Sequence, residues 1–183
     1  MKMKRKLYAG IGSRETPEPV LKLMFKIAAI LAGKGYTLRS GGAEGADTAF
    51  ELGCVSAGGK KEIWLPWKGF NDHEDTGLYP NPGHFAKAES ALSHWAKLTQ
   101  GGKRLHARNV GQVFGSHLES PVDFVLCWTP DGAISRDECT SKTGGTATAI
   151  KLASDSNIPV INMARYTNTE DLEKDLKKIL KAK

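Results

Sequence analysis

The chain has 183 residues, of which 40% are hydrophobic and 25% are charged, and its formal net charge is +6. This length and composition are typical of one globular domain and predict a single unit over residues 1–183. No apolar run is long enough to cross a bilayer, so no membrane partner is expected. The positive charge favours anionic partners, although much of it lies near the two ends of the chain.

The cysteines and histidines exclude several classes of site. Cys54, Cys127 and Cys139 form no Cys-x-x-Cys pair, and the five histidines do not fall at zinc spacings. The sequence therefore predicts no metal site. So few and irregularly spaced cysteines favour a reducing, cytoplasmic location.

Strands and helices alternate along the sequence. Apolar segments predict strands at residues 6–11, 36–39, 62–65, 122–127 and 158–161. Helical spacing predicts helices between and after them, including two over residues 85–98 and 103–118. This pattern predicts an α/β fold, a single-domain Rossmann-like doubly wound sheet of about five mainly parallel strands. Residues 66–84 are predicted to form a long loop that acts as a lid.

Three predicted strands run into glycine-rich turns that precede helices. The first, second and third glycine loops are Gly10-Ile11-Gly12-Ser13-Arg14, Ser40-Gly41-Gly42-Ala43-Glu44-Gly45-Ala46-Asp47 and Thr143-Gly144-Gly145-Thr146-Ala147-Thr148-Ala149. Glycines let backbone N–H groups approach an anion, and a helix N-terminus directs further N–H groups and its positive dipole end there. Loops after parallel strands meet at one edge of the sheet, so we expect these three to converge on a nucleotide or polynucleotide.

Several side chains near these loops suit a nucleotide. Arg14, Thr146 and Thr148 are predicted to contact phosphate, and Asp47 is predicted to accept hydrogen bonds from ribose hydroxyls. Trp128, just after the fourth predicted strand, carries an indole that can stack on a base. The alternative is purely structural: glycines that permit tight packing and carboxylates that interact with a helix dipole.

One side of the predicted helix over residues 103–118 is polar. Arg108, Asn109 and Gln112 project from it, whereas apolar residues lie on the other side. Arg108 is suited to a paired contact with phosphate, and the two amides are suited to a base or ribose. Spacing alone leaves a ligand-binding face and a solvated face equally open.

The order of these motifs resembles the SLOG superfamily. The similarity is greatest to the Rossmann-like core of the DNA processing protein A (DprA/Smf) family, with its GSR, SG-x-A-x-G-x-D, RN and SGS-x-x-TA elements, and spans about residues 7–162. The resemblance implies a nucleotide- or DNA-binding domain. Because related families often pair through helices beside the site, it also implies a homodimer or higher homo-oligomer.

A partial resemblance to the Lonely Guy (LOG) phosphoribohydrolases brings in a hydrolytic alternative. Their His-x-Arg-Lys helix is matched in part by His106-Ala107-Arg108-Asn109, and Lys151 stands where their PGG-x-GT-x-x-E loop has its glutamate. That family cleaves the bond between base and ribose 5′-monophosphate with the motif arginine and glutamate. A lysine cannot stabilise positive charge on the sugar or activate water as a carboxylate does.

A hydrolase would therefore need a different carboxylate. The candidate catalytic residues are then Arg108 and, in place of the motif glutamate, Glu44 or Asp47 of the second glycine loop. Carboxylates in the segment before the third glycine loop, among them Asp131, are further candidates.

Three functions stay open on these grounds. The first is binding of a nucleotide or nucleotide-derived small molecule, for instance a signalling nucleotide, without bond cleavage. The second is a LOG-like nucleoside 5′-monophosphate N-glycosidase, and the third is DprA-like binding of single-stranded DNA. No resident cofactor is predicted for any of them.

Overall fold

The computed structural model describes residues 5–182. In chain order the elements are β1 (Leu7–Gly10), α1 (Glu18–Gly33), β2 (Thr37–Ser40), α2 (Ala46–Ser56), β3 (Lys61–Ile63), α3 (Pro82–Ala91), α4 (Gln100–Phe114), β4 (Phe124–Cys127), α5 (Ala147–Asp155), β5 (Val160–Asn162) and α6 (Thr169–Lys181). Single 3₁₀ turns lie at Phe70–Asp72, Trp95–Lys97, Ser141–Thr146 and Met163–Arg165.

The five strands form one parallel sheet in the order β3-β2-β1-β4-β5. Tyr8 of β1 pairs with Leu38 of β2 on one side and with Phe124 of β4 on the other. The chain builds outward from β1 in one direction and then resumes on the other side with β4. Such a reversal is the switch point of a doubly wound sheet, where a crevice opens at the carboxyl ends of the strands. The predicted Rossmann-like α/β fold is confirmed.

Helices cover both faces of the sheet. Successive strand residues point to opposite faces, so Tyr8 and Phe124 join a core with α1, α2 and α6. Ala9 and Val125 join a second core with α3, α4 and α5. The rings of Tyr8 and Phe124 stack with their centroids 5.7 Å apart. The strands are thereby buried on both sides, as is usual for parallel sheets.

The two helices after β3 begin earlier than the apolar spacing predicts. Asn81 caps α3, since its side chain accepts hydrogen bonds from two N–H groups of the first turn, and Pro82 occupies the first helical position. The hydroxyl of Thr99 caps α4 by accepting a 3.1 Å hydrogen bond from a backbone N–H. α3 ends at Ala91 and α4 stops before Gly115, whose φ of 72° is left-handed. The capping residues therefore determine where α3 and α4 begin and end.

Contacts with the second glycine loop and with α2 hold the segment that is predicted as a lid. Phe70 is buried, and the side-chain amide of Asn71 donates to the carbonyl of Gly42 at 3.1 Å. His73 Nε2 lies 2.9 Å from the carboxylate of Glu51 on α2. The segment supports the second glycine loop and contributes nothing to the wall of the cavity beside the loops.

Among residues 5–182, no helix is both long and apolar enough to span a membrane. Over the same residues, no three or more His, Cys, Asp and Glu side chains are grouped as a metal site would require. The three cysteines are free thiols.

Candidate functional site

The three glycine loops lie side by side because β2, β1 and β4 are neighbours in the sheet. A cavity of about 480 Å³ opens between them and α4. Its wall consists of Ile11, Gly12, Ser13, Arg14, Glu15, Ala43, Asp47, Leu105, Arg108, Asn109, Gln112, Ser141, Lys142, Thr143, Gly144, Gly145 and Thr146. Segments far apart along the chain thus meet at one edge of the sheet.

The first glycine loop is fixed against the end of β4. The N–H of Ser13 donates to the carbonyl of Trp128 at 3.1 Å. A Cβ at Gly12 would lie 2.9 Å from the same carbonyl oxygen, so only glycine permits this close approach. Arg14 is exposed at the cavity, and within residues 5–182 its side chain forms no hydrogen bond or salt bridge. Its guanidinium is available to an anion.

The second glycine loop uses its polar groups inside the protein. Ser40 Oγ donates to the carbonyl of Gly10 at 2.6 Å. The carbonyl of Gly41 accepts a hydrogen bond from Arg108 Nη1. A Cβ at Gly41 would overlap the ends of Arg108 and Gln112. The glycine at this position therefore lets α4 pack closely against the loop.

A buried carboxyl and a buried guanidinium face each other at the cavity wall. Asp47 Oδ2 lies 4.0 Å from Arg108 Nη1 and accepts a 3.2 Å hydrogen bond from the N–H of Ala43. Burial raises the pKa of Asp47 to about 6, although Arg108 and the hydrogen bond from Ala43 act in the opposite direction. Burial lowers the pKa of Arg108, and Asp47 partly offsets this. Arginine stays protonated at neutral pH. Asp47, in contrast, gains or loses its proton at a pH close to neutral.

The polar side of α4 forms the cavity wall and is not a solvated face, because Arg108, Asn109 and Gln112 are only 7%, 6% and 2% exposed. Asn109 accepts from Arg108 Nε at 2.9 Å and donates to the carbonyl of Gly145 at 2.7 Å. This bridge joins α4 to the third glycine loop. The amide of Gln112 forms no hydrogen bond within residues 5–182. It is an unused donor and acceptor at the cavity wall.

The third glycine loop has a 3₁₀ conformation that is interrupted at Gly144, and it leads directly into α5. Gly144 has φ 61° and ψ −146°, a backbone conformation that only glycine adopts without strain. A Cβ at Gly144 or Gly145 would meet no atom within 4 Å. The backbone of this loop is therefore open at the N-terminus of α5, an arrangement that suits anions.

Asp131 holds the third glycine loop in place. Its carboxylate accepts hydrogen bonds from the hydroxyls of Thr129 at 2.8 Å, Thr140 at 2.7 Å and Thr143. Burial alone would raise the pKa of Asp131, but these hydrogen bonds outweigh it and hold the pKa at about 2. Asp131 does not line the cavity, and neither do the other carboxylates of its segment. Its observed role is structural.

Some predicted site residues lie away from the cavity wall. They are Ser40, Gly41, Gly42, Glu44, Gly45, Trp128 and Thr148. Glu44 and Gly45 line a groove between α1 and α2, so Glu44 is directed away from the cavity. Trp128 packs against the core that contains α1. Thr148 Oγ1 lies 2.7 Å from His106 Nδ1, which fixes it between α4 and α5.

Other residues line the cavity without having been predicted. They are Ile11, Glu15, Ala43, Leu105, Ser141 and Lys142. Lys142 is the most informative, because it is exposed and its ammonium forms no salt bridge or hydrogen bond within residues 5–182. In the sequence, its position directly before Thr143 of the third glycine loop is the feature from which a place at the cavity could have been predicted.

No protein-family model and no curated protein matches the chain. Among solved structures, it is similar to the molybdenum cofactor carrier protein from Chlamydomonas reinhardtii, with 16% identity over 98% of this chain and 99% of that one and a TM-score of 0.43. It is similar to DprA from Streptococcus pneumoniae, with 16% identity over 87% and 59% of the two chains and a TM-score of 0.40.

DprA from Helicobacter pylori, whose structure concerns a mode of single-stranded DNA binding, shares 14% identity over 96% of this chain and 81% of that one, with a TM-score of 0.42. These identities and TM-scores assign the chain no function. The Rossmann-like architecture that the motifs predict is shown by the strand order of the sheet itself.

Proposed function

We propose that the chain binds a nucleotide or a nucleotide-derived small molecule in the cavity at the carboxyl edge of its sheet. The observation that carries this proposal is the convergence of open glycine-loop backbone, unpaired cations and an unused buried amide on one cavity of about 480 Å³. Small-molecule sites commonly have about 300–1,000 Å³.

The phosphate end of the ligand would lie at the third glycine loop. Gly144 and Gly145 leave room for an anion at the N-terminus of α5. Arg14 and Lys142 add two positive charges that no carboxylate within residues 5–182 neutralises by a salt bridge. Anionic phosphate therefore meets both charge and directed N–H groups there.

The opposite wall suits a ribose and a base. Asp47 offers carboxylate oxygens that accept hydrogen bonds from ribose hydroxyls. The unused amide of Gln112 can both donate to and accept from a base edge. The side-chain amide of Asn109 donates to the carbonyl of Gly145. Asn109 therefore holds the third glycine loop in place and is not assigned a contact with the ligand.

Isothermal titration calorimetry with the four common nucleoside 5′-monophosphates tests this proposal. Replacing Arg14 by alanine should weaken binding by about tenfold, the loss of roughly one charge-assisted hydrogen bond. Arg104→Ala is the matched control, since Arg104 is exposed on α4 outside the cavity. Equal effects of the two variants, or no binding of any nucleotide, would refute the proposal.

Hydrolysis of the N-glycosidic bond is a second candidate, favoured by the buried Asp47 carboxyl at the cavity wall beside Arg108. Glu44 and Lys151 do not line this cavity, whereas Asp47 and Glu15 do. Asp47 is the buried one of the two and lies beside Arg108, so it is the candidate to stabilise charge on the sugar. Chromatography should then detect free base from a nucleoside 5′-monophosphate, and Asp47→Asn should abolish its release. Binding without base release would exclude this candidate.

Single-stranded DNA is tested with the same variants. If the exposed Arg14 and Lys142 contact a DNA backbone, affinity for an oligonucleotide should fall steeply as salt rises. A weak salt response, together with mononucleotide binding, would exclude DNA as the main ligand.

We also propose that the chain forms a homodimer through α1 and α2. A groove of about 600 Å³ between these helices has Leu21, Phe25, Ala49 and Leu52 among its lining residues. Phe25 and Leu52 in it are 39% and 55% exposed, and Val55 nearby is 50% exposed. Apolar clusters of this kind usually mark an interface.

Charge on the same groove favours a second copy of the chain. Glu18 and Glu44 lie in it together with Lys22 and Lys26, so a two-fold related copy can set acidic groups against basic ones. Light scattering should find a dimer that Leu52→Asp disrupts. Ile30→Asp, on α1 but outside the groove, should leave it intact.

A further inference from the structure

A second cavity lies on the other side of the third glycine loop. It has a volume of about 470 Å³, and Ser141, Gly144 and Gly145 line both it and the first cavity. The third glycine loop therefore borders both cavities. Neither glycine carries a side chain, and no atom lies within 4 Å of the Cβ position of either, so there is open space beside the loop where the two cavities share it.

The second cavity contains a lysine without a partner. Lys151 lies one helical turn after Ala147 on the same face of α5, and both line the cavity. Lys151 is half-buried, and within residues 5–182 its ammonium forms neither a hydrogen bond nor a salt bridge. A half-buried ammonium in a concave site favours an anion.

The other titratable groups of this cavity do not neutralise Lys151. No aspartate or glutamate lines it, and its titratable side chains besides Lys151 are His94, His106 and Cys139. Burial, together with the charges of His94, Arg108 and Lys151, lowers the pKa of His106 to about 4. The ring of His106 is therefore neutral at pH 7, and His94 lies beside it with ring centroids 6.4 Å apart.

Nearby carboxylates outside the wall are already engaged. Asp131 accepts hydrogen bonds from three threonine hydroxyls. Asp155, one turn after Lys151 on α5, is paired with Arg136. The cavity is thus left with a net positive charge.

From this arrangement we infer that the second cavity binds an additional anionic group of the ligand, so that the ligand is a nucleotide with two or more phosphates. The first phosphate lies at Arg14 and Lys142, and the chain of phosphates crosses Gly144 and Gly145 to reach Lys151. The inference rests on the proposed nucleotide binding and extends it to a class of substrate. Lys151 stands where the LOG motif has its glutamate, and it then determines the preference for ligands with more than one phosphate.

Calorimetric titration with adenosine and guanosine 5′-mono-, di- and triphosphates tests the inference. The wild-type protein should bind the di- or triphosphate about tenfold more tightly than the monophosphate, the gain from one charge-assisted hydrogen bond. Lys151→Ala should remove this gain and leave the affinity for the monophosphate unchanged. Lys151→Arg, which keeps the charge, should retain much of the gain.

Lys60→Ala is the matched control, because it removes the same charge at an exposed position at the opposite, amino edge of the sheet. It should change all affinities by the same small factor. If the monophosphate binds but further phosphates add nothing, or if Lys151→Ala weakens all three equally, the inference is overturned while nucleotide binding stands. If no nucleotide binds, the proposed function fails as well.

Discussion

The second and third glycine loops look alike in sequence but have different roles in the structure. The second packs closely against α4, whereas the backbone of the third is open. In the second loop the Gly41 carbonyl binds Arg108, the Ala43 N–H binds Asp47, and a Cβ at Gly41 would overlap α4. In the third loop Gly144 and Gly145 have no atom within 4 Å of a Cβ position. One loop is filled by the protein, and the other is open to a ligand.

The difference shows that glycines have two separate uses at a sheet edge. A glycine that permits close packing is a stability requirement, and its replacement costs free energy of folding. A glycine that opens backbone to solvent is a binding requirement, and its replacement costs affinity. Changes in the second glycine loop should therefore act on stability, and changes in the third on ligand binding.

The largest expected effect is on the pH dependence of stability through Asp47. Its pKa rises from 3.8 to about 6 on folding because it is buried, so its ionised form destabilises the folded state. Its contribution to stability is fully present below pH 3.8 and is lost as the pH rises through about 6.

Urea unfolding of wild type and Asp47→Asn between pH 4 and pH 7 measures this contribution. The free energy of unfolding of wild type relative to the variant should fall by about 2 kcal/mol over this range. Groups that titrate in both proteins cancel in the difference. Parallel curves for the two proteins would show that Asp47 is not perturbed by folding.

The next effect is that of Gly41→Ala. The added methyl group would overlap the buried ends of Arg108 and Gln112, so the free energy of unfolding should fall by about 1–3 kcal/mol. Gly101→Ala, at a helical position with open space around its Cβ, is the matched control and should be neutral or slightly stabilising. Similar unfolding midpoints for both variants would contradict the close packing of α4 against the second glycine loop.

The sequence could predict the fold and the meeting of the loops, because apolar periodicity and glycine turns are local signals. It could not predict that Arg108 donates to the Gly41 carbonyl, since the partners are 67 residues apart. It also could not predict that Glu44, just before α2, faces the groove between α1 and α2 and not the cavity, because this direction depends on how α2 packs. Lys142 was missed because an exposed lysine carries no periodic signal.

Gly145→Ala should separate binding from stability. No atom lies within 4 Å of the Cβ position, so the free energy of unfolding should change by less than about 0.5 kcal/mol. Because Gly145 lines both cavities, an added methyl group would hinder the approach of phosphate to the loop backbone, and nucleotide affinity should fall by about tenfold. Calorimetry and urea unfolding on the same preparation measure both quantities. A loss of stability without a loss of affinity would reverse the assignment of the two loops.

The last expected effect is local and concerns Asp131→Asn. The asparagine loses one carboxylate oxygen that accepts from Thr140 and Thr143, and because the site is only partly buried the global change should stay below about 1 kcal/mol. Loss of these anchors should instead loosen residues 140–146, so that their backbone amides exchange hydrogen faster. Asp155→Asn, which breaks the ion pair with Arg136, is the control. Unchanged exchange in the third glycine loop would mean that its open backbone is held by its own conformation and not by Asp131.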